Sequence, residues 1–363
     1  MTIKKLKLPQ ISQMFLSQSM RNAYLLLIIF LYSCASVMSP TGGDIDSVPP
    51  KLEKTLPSDL TGLSSGEKII LFFNEYIQEQ SLKKAIEIFP SNNEKIKYEY
   101  KGNKIIVTLP SNLEREKTYI ITLNSNFTDE HNVSLEEDIV IPFTLSNFIN
   151  DGKINGEIYG SFTKPSILLW KDKIAKENML NIDPDYILSG SKTYNFDFLP
   201  YGDYTILAID KYNRRLDINQ NIVSFSNLSH ISIQKDITGK ANFFFNEEVV
   251  EIELDSLAYE PTDEKKNSTL LGKVSGNFIL PMIVNIANRN NSYSVNVDIN
   301  GEFRIVDAVE GKYQLIAFQD RNNNQILDTG SFKKDLLSEK FSVYPDTLNL
   351  RSNWEIEITD WSL

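Results

Sequence analysis

The sequence predicts an all-β chain built as three tandem β-sandwiches. Three observations carry that prediction. Apolar bursts of five to seven residues, rich in β-branched and aromatic side chains, recur between Gly, Asn, Pro or charged turns. Residues from 151 onward contain an internal repeat. Hydrophobic residues make up 41% of the chain and aromatic ones 11%, enough for real cores. At roughly 100–150 residues per domain, the length after the N-terminal segment fits two or three of them.

The N-terminus reads differently from the rest. Lys4, Lys5, Lys7 and Arg21 form a basic stretch with no acid, and Ala23–Leu31 (AYLLLIIFL) is a nine-residue apolar run. That is short against the roughly 20 residues of a membrane-spanning helix. Small residues follow: Ser33, Cys34, Ala35 and Ser36. Met20 offers a second start, which would make a compact basic region of Met20-Arg21-Asn22. Cys34 is the only cysteine, so no disulfide staples the fold. Two readings of it stand, a thiol buried in a core strand and a modified chain terminus.

Residues 1–33 resemble a bacterial lipoprotein signal peptide, with Leu31 and Ser33 placed as its −3 and −1 residues. The resemblance implies cleavage before Cys34, acylation of Cys34, and a membrane as partner through the acyl chains. Each buried methylene adds about 0.8 kcal/mol, so two or more chains anchor stably. The implied place is the cell envelope, as an outer-membrane lipoprotein. Ala35-Ser36-Val37 has no acidic run, which favours the periplasmic face over the cell surface. Removing residues 1–33 takes the net charge from −11 to −15. That acidity argues against nucleic acid or an anionic lipid surface as a partner.

Residues 34–49 read as a flexible tether, with Ser39–Asp44 and Val48-Pro49-Pro50 rich in turn formers. The first sandwich is predicted over 50–148. Its strands are Lys68–Phe73, Ala85–Phe89, Ile96–Tyr100, Lys104–Leu109, Thr118–Leu123 and Ile139–Leu145. Ile96, Tyr98 and Tyr100 alternate with Lys97 and Glu99, as in a half-buried strand. Lys101-Gly102-Asn103-Lys104 is a hairpin signal. Pro49-Pro50, Pro57, Ile70–Tyr76, Leu113, Thr118-Tyr119 and Phe143-Thr144 resemble the SbsA-type bacterial Ig-like module. With its tether, the segment is similar to lipoproteins of Bacteroidota. The resemblance implies a structural spacer or binding platform. The family usually has an acid where Asn74 stands.

The repeat places two further sandwiches at 151–256 and 269–363, joined by a polar linker at 257–268 read as a solvated hinge. Gly152–Gly156 corresponds to Gly272–Gly276, an offset of 120 residues. Tyr194–Phe196, Gly202–Tyr204 and Ala208 correspond to Phe303–Ile305, Gly311–Tyr313 and Ala317, an offset of 109. Each Gly-x-x-x-Gly is expected to open a strand at a sheet edge. Gly202 and Gly311 are expected to make permissive turns before core strands led by Tyr204 and Tyr313. Trp170 is expected in the second core, and the last strands at Phe341–Tyr344 and Trp354–Ile358. The pattern resembles the transthyretin-like or carboxypeptidase-regulatory-like sandwich.

Both repeats run into Asp/Asn loops. In the second, Asp320, Asn322, Asn324 and Asp328 fall at positions 1, 3, 5 and 9 of an EF-hand count, with the Ile326 carbonyl at 7. Short oxygen-bearing side chains at that spacing can hold calcium. Against it, Gln325 stands at the usual glycine, Ser331 at the usual bidentate Glu, and the flanks are strands. The other reading is an Asn-rich turn bonding its own main chain. The Asp210 loop carries Arg214 and Arg215 in place of ligands and reads as a turn.

Nothing points to catalysis. His131 and His230 are isolated in polar loops, no nucleophile or phosphate-binding motif occurs, and Glu247-Glu248 and Glu136–Asp138 read as solvated runs. Ser47, Ser256 and Thr347 lie in Asp-Ser/Thr-aliphatic triplets that resemble O-glycan acceptors of Bacteroidota envelope proteins. The expectation is a non-enzymatic, lipid-anchored spacer or binding scaffold. The alternative is an accessory lipoprotein that binds carbohydrate or protein, with a calcium-stabilised loop. A hydrolase is the third class, and it would need His131 or His230 grouped with acids in a cleft.

Overall fold

The computed structural model describes residues 43, 45–91, 94–213, 216–217, 222–246 and 267–363. The predicted signal peptide, Cys34, Arg214, Arg215, Glu247-Glu248, Ser256 and most of the linker 257–268 lie outside the described residues. Among those described, no helix is long and apolar enough to cross a membrane.

The first sandwich comprises β1 (Leu52–Leu56), β2 (Lys68–Phe73), α1 (Glu79–Ala85), β3 (Ile86–Phe89), β4 (Lys97–Tyr100), β5 (Lys104–Thr108), β6 (Thr118–Leu123) and β7 (Ile139–Thr144). One sheet runs β1-β2-β5-β4 and the other β3-β6-β7. Ile69, Leu71, Phe73, Ile105 and Val107 face Tyr119, Ile121, Leu123 and Phe143 across the core. Tyr98 and Tyr100 pack against its side, and Gly102 makes the β4–β5 turn at φ +70°. Both β1 and α1 are additions to the predicted elements.

The second sandwich has β8 (Gly152–Gly160), β9 (Pro165–Lys171), α2 (Lys176–Met179), β10 (Tyr186–Ser189), β11 (Thr193–Leu199), β12 (Gly202–Asp210), β13 (Val223–Phe225), β14 (Ile231–Ile233), β15 (Gly239–Lys240) and β16 (Phe243–Phe245). One sheet is β10-β9-β12, with β13 and β14 pairing opposite ends of β12. The other is β11-β8, with β15 and β16 parallel to β8.

The third sandwich has β17 (Asn267–Ser275), β18 (Met282–Ala287), β19 (Ser292–Asn296), β20 (Glu302–Val309), β21 (Gly311–Gln319), β22 (Thr329–Ser331), β23 (Leu336–Ser338), β24 (Phe341–Val343), β25 (Leu348–Leu350) and β26 (Glu355–Ser362). It repeats the plan of the second. The sheets are β19-β18-β21, with β24 and β25 on the two ends of β21, and β20-β17-β26, with β26 parallel to β17. The hairpin β22–β23 is an insertion in that plan.

The shared tyrosines do the same work in both copies. Tyr204 donates its hydroxyl to Pro200 O at 2.6 Å, and Tyr313 to Val309 O at 2.8 Å. Each bond ties a core strand to the carbonyl four residues upstream, across Gly202 (φ +136°) or Gly311. The Gly-x-x-x-Gly strands do not lie at edges, however. β8 and β17 are central, with partners on both sides. Their glycines admit close neighbours: a Cβ on Gly156 would sit 1.7 Å from Ala241 O, and one on Gly272 would sit 2.4 Å from the Phe303 ring.

Trp170 corrects a second expectation. It is 1% exposed but lies outside the main core of its sandwich. Ile167 and Leu169 point into that core, while Leu168 and Trp170 point out the other face of β9. On that face they meet Met179, Leu207, Ile209 and Phe225. The Trp170 Nε1–H is satisfied by Ile182 O at 2.8 Å.

The sandwiches are joined by apolar contact. Every residue of β6 is buried, because both its faces are covered. Ile121 faces its own core, whereas Ile120 joins Phe89 and Val140 in the second sandwich's cluster, with Tyr186, Leu188 and Phe196. Asn150 then ties the connecting chain to Thr118 Oγ1 through its main-chain N–H and its side-chain amide, each at 2.9 Å.

At the other joint, the β22–β23 arm lies over the outer face of the second sandwich. Phe332 meets Phe225 edge-on at 4.8 Å, and Leu337 joins the same cluster. Lys176 pairs with Asp335 at 3.2 Å. Phe341 adds edge contacts to Phe244 (5.8 Å) and Tyr159 (6.0 Å). Most of the linker lies outside the described residues, and its last two, Asn267 and Ser268, belong to β17; the repeats it connects share an apolar joint.

Candidate functional site

Among the described residues, chemistry-bearing groups gather in the Asp320 loop and in the clefts beside the joint of the first and second sandwiches.

The Asp320 loop leaves β21 at the root of the arm. Asp320 is 1% exposed, and its carboxylate accepts the main-chain N–H groups of Asn324 (3.0 Å) and Gln325 (2.9 Å). Asn322 Oδ1 accepts from Asn324 N at 3.1 Å, and Asn324 Oδ1 from Ile326 N at 2.8 Å. Both Asn amides donate to Asp328 Oδ2, at 2.6 and 3.1 Å. The Asn322–Asn324 and Asn324–Ile326 bonds are Asx-type, in which short side chains stand in for main-chain turns. Gln325 adopts φ +60°, the left-handed conformation for which glycine is usual at this position.

The acid missing from the end of the count is supplied from elsewhere. Glu339, 3% exposed, reaches into the loop from beyond β23. Its carboxylate accepts Arg321 N at 2.6 Å and Asp328 N at 3.1 Å. Burial raises its carboxyl above the usual range, and the nearby Asp328 and Asp320 add to that. The predicted residues Asp320, Asn322, Asn324 and Asp328 are therefore brought together. The Ile326 side chain points out to solvent, 62% exposed. Glu339 escaped sequence reading because it lies 11 residues beyond Asp328, across a hairpin. In the other repeat, Asp210 bonds Thr163 N (3.1 Å) and Lys164 N (2.7 Å), closing the entry to β9.

The first joint is flanked by two clefts. One, of about 700 Å³, lies along β3 and is walled by Ile96, Tyr98, Pro184, Ile187 and Tyr212, with Lys83, Glu87 and Glu94 among its charged residues. The other, of about 560 Å³, lies between Glu136–Asp138 of the first sandwich and Lys164, Ser189–Ser191 and Asp197 of the second. Asp138 Oδ2 accepts the Ser189 N–H at 3.0 Å, while its Oδ1 is buried without a partner. The predicted solvated run Glu136–Asp138 thus divides. Glu136 and Glu137 are exposed, and Asp138 turns into the joint.

The remaining candidates lie away from the loop and the clefts, with His131 beside the buried Asp129. His131 is exposed on a loop of the first sandwich, with its main-chain N–H on Asp129 Oδ1 at 2.9 Å. His230 belongs to the second sandwich and contacts Ser229 Oγ at 3.0 Å through Nδ1. Ser47 and Thr347 are both exposed.

Residues 46–145 match the family described as a bacterial Ig-like domain. Ig-like domains are generally structural or binding modules rather than catalysts. No curated protein matches the sequence. Among solved structures, the chain is similar to the Bacillus anthracis TIE protein at 15% identity, covering 88% of this chain and 58% of that one, with a TM-score of 0.18. It is also similar to the MG0-NIE-MG1 domains of native alpha-2-macroglobulin from Escherichia coli, at 13% identity over 75% of this chain and 94% of that one, with a TM-score of 0.21. BcpA, the major pilin subunit of Bacillus cereus, is similar at 13% identity over 55% of this chain and 71% of that one, with a TM-score of 0.17. The chain thus spans a little over half the length of the TIE structure.

Proposed function

We propose that the chain is a non-enzymatic spacer or binding scaffold of the cell envelope, held to the outer membrane by acyl chains on Cys34. The observation that carries the scaffold reading is the pair of apolar joints. A first sandwich docked through Ile120 and a third docked through Phe332 make the module array stiff, as a spacer requires. The bacterial Ig-like match at 46–145 supports a structural or binding role. The anchor rests on the residues leading to Cys34. Metabolic labelling with a fatty-acid analogue tests it. Wild type is expected to take up label and fractionate with membranes, and Cys34→Ala to lose both. Label retained by the variant would refute the anchor. Protease shaving of intact cells then separates a periplasmic face, which protects the chain, from the cell surface, which does not.

A second reading, an accessory protein with a calcium-stabilised loop, is favoured by Glu339. It adds a third carboxylate to Asp320 and Asp328, beside the side chains of Asn322 and Asn324 and the Ile326 carbonyl, and calcium takes six to eight oxygen ligands. To bind, the Asn amides would rotate their oxygens toward Asp328. Thermal unfolding with calcium and with chelator tests this: a higher Tm in calcium supports the site, and equal values refute it. Ser47, Ser256 and Thr347 are proposed glycan acceptors. Intact-mass measurement of the native protein against a triple-alanine variant tests them, and equal masses, after correction for the substitutions, would rule them out.

A further inference from the structure

The joint between the first and second sandwiches contains an ionisable group that lies outside both apolar cores. Asp138 precedes β7 and crosses to the second sandwich, where its Oδ2 accepts the Ser189 N–H on the free edge of β10 at 3.0 Å. Its Oδ1 is buried and makes no hydrogen bond, and the Ser189 side chain also favours its charged form. An ionised carboxylate with one oxygen unsatisfied is costly to bury, whereas a neutral carboxyl is much less so.

The charges facing it do little to relieve that cost. Glu136 and Glu137 lie on its own segment, and Glu87 on β3 opposes its ionisation. From the second sandwich, Asp197 on β11 is engaged by Lys153 at 2.9 Å, and Lys164 before β9 is the cation that favours the charged form. Burial is the largest influence and raises the Asp138 carboxyl to about 6, against the pull of the Ser189 N–H and side chain.

We propose that this joint is proton-linked: Asp138 takes up a proton from solvent as the two sandwich faces close, and returns it as they part. Once the faces part, the group is in water and has the usual carboxylate range. Closure therefore binds a proton between that range and about 6. The added stability of the closed joint is full below the usual range and is lost as pH rises through about 6. The chain then has a joint that stiffens in mild acid and loosens toward neutrality.

Hydrogen exchange on the full chain tests this, read at pH 5.0 and 7.5 in the peptide spanning Tyr186–Ser189 and corrected for intrinsic rates. In wild type, protection is expected to fall about tenfold from pH 5.0 to 7.5. Asp138→Asn keeps the acceptor for Ser189 N–H but carries no charge, and is expected to hold the acid-like protection at both. Lys164→Gln, an exposed site, removes the cation that favours the charged form and is expected to move the midpoint of the loss upward in pH. Wild-type protection that is the same at both values would overturn the proposal. So would Asp138→Asn tracking wild type, or a Lys164→Gln midpoint that stays put or falls.

Discussion

Replacing Phe332 by alanine removes the ring that the third sandwich lays on the second. The ring sits 4.8 Å from Phe225, which is itself 1% exposed, and it has no place in the third sandwich's own core. Truncating a fully buried Phe costs about 3–5 kcal/mol. Phe332 is half-buried, so about 2 kcal/mol is expected, of which about 0.5–1.5 belongs to the ring pair. That cost falls on docking of the β22–β23 arm and not on the sandwich that carries it. The open state of the arm should rise about thirtyfold, since 1.4 kcal/mol is tenfold. Hydrogen exchange in peptides covering Thr329–Ser338 and Val223–Phe225 reads this directly. Both should exchange faster, while Met282–Ala287 in the third core stays protected. Unchanged exchange in the arm would show that Phe332 does not hold it down, and equal loss throughout the third core would show that the ring serves that core instead.

Other perturbations separate the joints from the cores. Ile120→Asp sets a carboxylate among Phe89, Val140 and Leu188, at a cost of several kcal/mol; limited proteolysis should cut between residues 145 and 151 while the first sandwich, held by Tyr119 and Ile121, survives. Tyr204→Phe and Tyr313→Phe each remove one hydroxyl bond to a carbonyl four residues upstream. Each should cost about 1 kcal/mol, with matching falls in Tm if the repeats are equivalent. Gly156→Ala would force a methyl to within 1.7 Å of Ala241 O and should displace β15 from β8, seen as lost protection at Gly239–Ala241.

Much of this fold is legible in the sequence, for physical reasons that can be named. Lys68–Phe73 and Thr118–Leu123 match their strands residue for residue, because dense β-branched and aromatic runs between turns leave little else to form. The repeat was readable because Gly202 and Gly311 precede tyrosines with a fixed bonding role. β1 was hidden because Leu52–Leu56 is only partly buried and pairs with β2 through an irregularity between Leu52 and Lys54. α1 is seven residues long, too short to show a helical period.

The joints left a signal that alternation alone overlooks. A strand facing one core should alternate, yet TYIITL and SILLW do not. Continuous burial means a cover on both faces. Read that way, Ile120 and Trp170 point to neighbours outside their own cores. At the candidate site, the Asp320 spacing was local and therefore visible. Glu339 and Asp138 were not, because their partners come from across a hairpin and from another sandwich.

Scanning calorimetry of the full chain tests whether the apolar joints couple the three sandwiches. One main transition is expected over Val48–Leu363, with van't Hoff and calorimetric enthalpies in agreement, and it should split in Ile120→Asp. Three separate transitions in wild type, unmoved by that substitution, would contradict it.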